Sequence, residues 1–181
     1  MMEYLEGVKK AKTLEIGELL VQAEGTEVKV NGAVHTIRDM GNVAFVILRK
    51  RDGLVQCVFE EGVTAFDLKE LKEASAVEVL GTIRKEERAA HGIEIRLKEI
   101  KVLSEPDEPL PLPISKWKLN TSLEAKLNMR PISLRNVRER AKFKIQEGLV
   151  RSFRDFLYEQ GFTEIHTPKL GAKSAEGGAN L

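Results

Sequence analysis

Between Glu27 and Leu103 apolar residues recur at every second position in several separate runs, and a period of two commits this part of the chain to β-sheet. The first run, Glu27 to Ile37, aligns Val28, Val30 and Val34, and Gly32 within it suits a bulge or bend where a strand turns a corner. The second, Asn42 to Arg49, and the third, Leu54 to Phe59, are separated by Asp52-Gly53, a dipeptide that accepts the positive backbone angles of a tight hairpin. Val77 to Lys85 and Ile93 to Leu103 complete the set, the last alternating Ile93, Ile95 and Leu97 with Glu94, Arg96 and Lys98. Between the third and fourth runs, Ala65 to Ala74 sets Phe66, Leu68 and Leu71 among Asp, Lys and Glu, which predicts a helix of two to three turns.

The order β-β-β-α-β-β is that of a five-stranded Greek-key barrel of the oligonucleotide- and oligosaccharide-binding (OB) type. Ahead of it, Thr13 to Ala23 places Ile16, Leu19, Leu20 and Ala23 on one helical face, with Thr13 as the expected N-cap and Gly25 beyond the end. Behind it, four of the six prolines fall between Pro106 and Pro113, where fixed backbone angles exclude helix and central strand and predict a stiff interdomain linker. Glu139 to Gln160 then carries Phe143, Ile145, Leu149, Val150, Phe153, Phe156 and Leu157 at helical spacing, closed by Gly161, and Phe162 to Thr167 reads as a short strand ending at Pro168. The expected organisation is mainly β plus α: a helical extension over 1–26, the barrel over 27–104, a Pro-rich linker over 105–118, and the start of an α+β domain over 119–181.

Composition removes several alternatives. A single cysteine, Cys57, forms no internal disulfide, and His35, His91 and His166 are too far apart in sequence to suggest a metal cluster. No run approaches the length of a membrane span, and the acidic N-terminus is unlike a signal peptide, so a cytoplasmic protein is expected. The formal net charge of +1 argues against coating nucleic acid by bulk electrostatics, but the charge is uneven. Residues 27–103 balance 13 basic against 13 acidic side chains, whereas residues 115–160 carry 11 against 5. That surplus is either a surface for a nucleic-acid backbone or a solvated helix face.

In an OB barrel, single-stranded nucleic acid is held by aromatic rings that stack on bases and polar groups that read base edges. Phe45 is the only aromatic residue in the first three strands before Phe59, Gln56 is a neutral hydrogen-bonder within the apolar run Leu54 to Phe59, and Arg38 follows the first strand. A glutamine amide donates and accepts together, which suits a pyrimidine edge while Phe45 stacks on its ring. Both faces of the second strand are apolar, however, so periodicity leaves open whether Phe45 faces the core and Gln56 merely faces solvent.

Val30 to Arg49, with Asp52-Gly-Leu-Val-Gln56, resembles the anticodon-binding barrel of aspartyl-tRNA synthetases and their asparaginyl and lysyl relatives, although Ala33 stands where a tryptophan is usual. The resemblance implies that Phe45 and Gln56 stack on and read a central uridine of the anticodon, that Arg38 also contacts the anticodon, and that His35 and the connection Glu86 to Gly92 approach its outer letters. Gly161-Phe-Thr-Glu-Ile-His-Thr-Pro168 resembles the first signature motif of class II synthetases, which implies a subunit interface with Pro168 at the dimer axis. Ser174-Ala-Glu-Gly-Gly178 is similar to the loop that closes over aspartate, where Glu176 would bind the substrate ammonium, and its wording is closer to the archaeal style of enzyme.

The likeness runs from the barrel to the last residue and implies the N-terminal portion of a homodimeric aspartate-tRNA ligase, charging Asp or both Asp and Asn tRNAs. ATP and Mg²⁺ would serve the complete enzyme and none is expected on this fragment. The arginine-bearing second and third motifs lie farther on in relatives, so no catalytic residue is assigned and the chain alone is expected to make no aminoacyl-adenylate. A free-standing tRNA-binding or regulatory module without catalysis, or an asparaginyl or lysyl relative, is the alternative.

Overall fold

Alternating β-branched residues with turn signals at their ends give five strands that close on themselves. The computed structural model describes residues 13–166. β1 (Glu27–Asp39), β2 (Val43–Arg49), β3 (Leu54–Glu60), β4 (Ala76–Lys85) and β5 (Ile93–Ser104) form a closed barrel in the order β1-β2-β3-β5-β4. All neighbours are antiparallel except β3 and β5, which run parallel. The long β1 serves two partners: Glu27 to Ala33 pairs with β4, and Ala33 to Asp39 pairs with β2. The change of partner comes where Gly32 lies against Leu48, a Cβ there meeting Leu48 Cβ at 3.2 Å, so the corner needs the small residue. The bulge itself falls two residues on, between Val34 and Thr36.

Inside the barrel, Val30, Ala44, Val46, Leu48, Cys57, Val79 and Ile95 are fully buried in one cluster, so the inward set on β2 is the even-numbered one. Burial pushes the Cys57 thiol far above its ordinary range, which keeps it protonated and inert. Phe66, Leu68 and Leu71 pack into or against the core, but without the predicted helix. Only Leu68–Glu70 forms a single 3-10 turn, capped by the Asp67 side chain accepting from Lys69 N at 3.0 Å. The backbone on either side is drawn to the sheet instead: Ala65 N donates to Lys98 O at 2.7 Å and Ala74 N to Val34 O at 2.7 Å. Tertiary hydrogen bonds thus outweigh local helical periodicity.

α1 (Ile16–Leu20) is shorter than its pattern, and its N-cap is Glu15 rather than Thr13. Glu15 and Glu18 form a reciprocal capping box, while the Thr13 hydroxyl accepts from Asn31 N at 3.1 Å and Lys50 Nζ at 3.3 Å. Asp52, at the β2–β3 turn, ties this helix down by accepting from Ile16 N at 2.8 Å; burial raises its carboxyl, but that bond together with its own backbone N–H, a hydrogen bond with Glu15 and the Lys50 charge holds it below the usual range.

The Pro-rich segment is mostly exposed but is anchored at its C-terminal end. Leu112, Ile114 and Leu119 are buried, and Asn136, 2% exposed, donates through Nδ2 to Ile114 O at 2.9 Å and Lys116 O at 2.7 Å. α2 (Leu123–Asn128) and α3 (Arg130–Ser133) follow, and this compact unit ends at Arg138.

A second unit starts at Glu139. It holds nearly all of α4 (Val137–Glu159), which ends in a Schellman motif with Gly161 at φ +81° and Phe162 N donating to Leu157 O at 3.0 Å. No α4 residue is buried, and Ile145, Leu149, Phe153 and Phe156 form its exposed apolar stripe. Its surplus cations are largely matched: Lys142, Lys144, Arg151 and Arg154 pair with Glu139, Glu147, Asp155 and Glu164. The expected strand from Phe162 is not formed over Phe162–His166, because a strand needs a neighbour to pair with and none is present among the described residues. No helix among the described residues is long and apolar enough to cross a membrane.

Candidate nucleic-acid interface

Because Ala44, Val46 and Leu48 point inward on β2, and Val55, Cys57 and Phe59 on β3, the pleat turns Phe45, Ile47, Gln56 and Val58 outward. Phe45 is therefore a half-buried surface ring, not a core residue. Strand register assembles two parallel rows on this face. Arg38, Phe45, Val58 and Arg96 stand side by side across β1, β2, β3 and β5. In the next row Ile47 is opposite Gln56, Gln56 opposite Glu94, and Glu94 opposite Arg84. Phe45 and Gln56 are diagonal neighbours, on the order of 7–8 Å apart at their backbones, which matches a base lying on the ring with its edge toward the amide.

The polar groups of this face are already organised. Gln56 Nε2 donates to Glu94 Oε2 at 3.1 Å, and the other oxygen of Glu94 is 3.5 Å from an Arg84 guanidinium nitrogen. Glu94 is 3% exposed, although it alternates with apolar residues like any solvent-facing acid. It belongs to the site but is not discernible in sequence, because only the parallel β3–β5 register puts it beside Gln56. Arg96 Nε donates to Glu60 Oε1 at 3.0 Å, while Arg38 is exposed opposite Phe45.

His35, which the resemblance implies to approach an outer anticodon letter, stands apart from this face. It is the residue inserted by the β1 bulge, 5% exposed, and it lines a small cavity with Leu54, Ile114, Lys116, Trp117 and Asn136. Its Nδ1 is buried without a hydrogen-bond partner. Burial first and the nearby Arg49 second hold its pKa below the ordinary value, with Glu73 opposing. A depressed folded-state pKa means that the unfolded chain binds more protons, so this residue's contribution to stability is present above about pH 6.5 and is lost as pH falls below it. We expect urea midpoints to fall between pH 7.5 and pH 5.5 by less in His35→Leu than in the parent chain. An equal fall in both would assign the pH dependence elsewhere.

The Glu86 to Gly92 connection carries a 3-10 turn, Ala90–Gly92, beside the β2–β3 hairpin, with His91 at φ +67°. Pro168 and Glu176 lie outside the described residues. Among the described residues no group of His, Cys, Asp and Glu side chains could hold a metal ion.

Comparison with known proteins places these features in a wider set. Residues 28–103 match the family model for the OB-fold nucleic acid binding domain of the tRNA anticodon type, and residues 122–181 match that for class II tRNA synthetases (D, K and N). The chain is 38% identical to the aspartate-tRNA(Asp/Asn) ligase of Saccharolobus solfataricus over 94% of its own length and 40% of the relative's. It is 42% identical to the enzyme of the same name from Deinococcus radiodurans over 90% and 36%, respectively. Among solved structures, the asparaginyl-tRNA synthetase of Pyrococcus horikoshii complexed with asparaginyl-adenylate superposes with a TM-score of 0.76 at 27% identity, covering 92% of this chain and 39% of that one. The aspartyl-tRNA synthetase of Entamoeba histolytica gives 0.70 at 27% identity, covering 88% and 40%. The chain thus spans about two fifths of the length of the curated relatives it matches.

Proposed function

The chain belongs to the class II tRNA synthetases of the D, K and N type and corresponds to their N-terminal portion, with the family's OB-fold anticodon-binding domain, and from that premise we propose that Phe45 and Gln56 recognise a central anticodon uridine and that Arg38 also contacts the anticodon. The observation that supports this most is the common outer face: an accessible ring, an amide diagonal to it and a guanidinium opposite it, all on rigid strands. Phe45 stacks on the pyrimidine, the Gln56 amide pairs with its edge, and Arg38 contacts the adjoining backbone or base. Strands rather than loops carry all three, so little ordering is needed on binding.

The complete protein is proposed to be an ATP- and Mg²⁺-dependent aspartate-tRNA ligase. The names of its relatives support charging of both aspartate and asparagine tRNAs. ATP and Mg²⁺ would be held by parts of the enzyme outside the described residues, and base reading by the barrel needs neither. Glu176 as the group that binds the aspartate ammonium, and Pro168 at a homodimer axis, stay within this proposal. The apolar stripe of α4 agrees with a subunit interface, since an exposed apolar row is stabilised by covering it.

The proposal is tested with Gln56→Ala in this chain and an anticodon stem-loop carrying a central uridine. The loss of edge pairing is expected to cost about 1–3 kcal/mol of binding. Equal affinity of the variant and the parent chain for that RNA would refute the assignment of Gln56.

A further inference from the structure

We infer that Glu94 fixes which way round the Gln56 amide is held, and so makes this face prefer uridine to cytidine; the inference rests on the reading of the face as the anticodon site. A glutamine amide is ambidextrous. Turned by half a revolution it exchanges donor and acceptor, so an untethered glutamine pairs equally well with uridine, which offers an N3–H donor and a carbonyl acceptor, and with cytidine, which offers an N3 acceptor and an amino donor. Discrimination between the two pyrimidines requires the amide to be held in one orientation.

The structure contains the group that holds it. An ionised carboxylate has only acceptors, and Glu94 Oε2 lies 3.1 Å from Gln56 Nε2. The amide nitrogen is therefore committed toward Glu94 on β5, which leaves the carbonyl Oε1 and the second amide proton for a base stacked on Phe45, the diagonal neighbour on β2. Flipping the amide would oppose its oxygen to a carboxylate that is 3% exposed, two acceptors facing each other with little water to intervene. Arg84, 3.5 Å from the other Glu94 oxygen, anchors the carboxylate from β4. In this orientation Oε1 accepts from uridine N3–H and the remaining amide proton of Gln56 serves the neighbouring uridine carbonyl. Cytidine brings its N3 lone pair against Oε1 and is rejected. Glu94 is a positioning residue: it selects the base through Gln56 without touching it.

The test compares two stem-loops that differ only in the central anticodon base, U or C, bound to this chain. In Glu94→Gln, nearly isosteric but able to donate as well as accept, Gln56 is free to turn. The ratio of uridine to cytidine affinity is expected to fall roughly tenfold or more, chiefly through tighter cytidine binding. Arg84→Gln removes a cation but leaves the Gln56–Glu94 bond, so it is expected to weaken both RNAs alike and keep the ratio. Circular dichroism melts establish that each variant is folded, and Glu94→Asp, too short to reach Gln56, gives the same reading should Glu94→Gln fail to fold. An unchanged ratio in the folded Glu94 variant, while Gln56→Ala abolishes discrimination, overturns the inference and leaves Gln56 as the reader. If neither Gln56→Ala nor Phe45→Ala alters binding of either RNA, the anticodon reading itself fails and the inference with it.

Discussion

Gly81→Ala is expected to destabilise the barrel by about 3 kcal/mol, at the upper part of the range for overpacking a closed core. Gly81 sits on β4 where the β4–β5 register shifts, and a Cβ there would overlap the Arg96 carbonyl and stand 2.7 Å from Ile95 Cγ2. The obstacle is the backbone of β5, which cannot rotate away as a side chain does. Relief requires β4 and β5 to separate, and those strands close the barrel on one side. Against a typical net stability of about 5–15 kcal/mol, that is a large fraction. The control is Gly17→Ala in α1, where a Cβ meets nothing within 4 Å and alanine favours the helix by roughly 0.5–1 kcal/mol. Urea unfolding followed by far-UV circular dichroism separates the two variants; matching midpoints would show that β4 and β5 tolerate the extra carbon.

Phe45→Ala is expected to weaken binding of a central-uridine stem-loop by about 1–3 kcal/mol, roughly five- to 150-fold in Kd, with little change in stability. The two halves of that expectation have one cause. Phe45 stands on the outer side of β2 while Ala44 and Val46 fill the core, so truncation removes a stacking surface and leaves no internal cavity. No charge is lost, so the slope of affinity against salt should stay as in the parent chain, whereas Arg38→Ala should reduce it. Fluorescence anisotropy across a salt series measures both. A Kd unmoved by the loss of the ring, or a variant that unfolds as easily as a core truncation, would remove Phe45 from the interface.

All five strands were legible within two residues of their ends, because alternation, the Asp52-Gly53 turn and the placement of glycines report a sheet locally. Elements whose conformation depends on distant partners were misread. Ala65 to Ala74 has helical spacing, yet its ends bond to β5 and β1. Thr13 has the chemistry of an N-cap, yet its hydroxyl is claimed by Asn31 and Lys50, 18 and 37 residues away. His35 gave no local sign of its burial, because an exposed polar residue and a bulged, covered one are written alike in a β run. Asn136 gave no signal at all, although it anchors the Pro-rich segment through two carbonyls.

Residue spacing alone therefore determined that a five-strand barrel forms, where its turns lie, and that an aromatic ring, an amide and a guanidinium occur on neighbouring strands. Only the tertiary structure decided that Phe45 faces outward, that Gln56 lies diagonal to it, and that Glu94 grips the amide from β5. The physical reason is the pleat: on a strand apolar on both sides, inside and outside differ by a single step in register, and that step is chosen by the whole core closing rather than by any local preference.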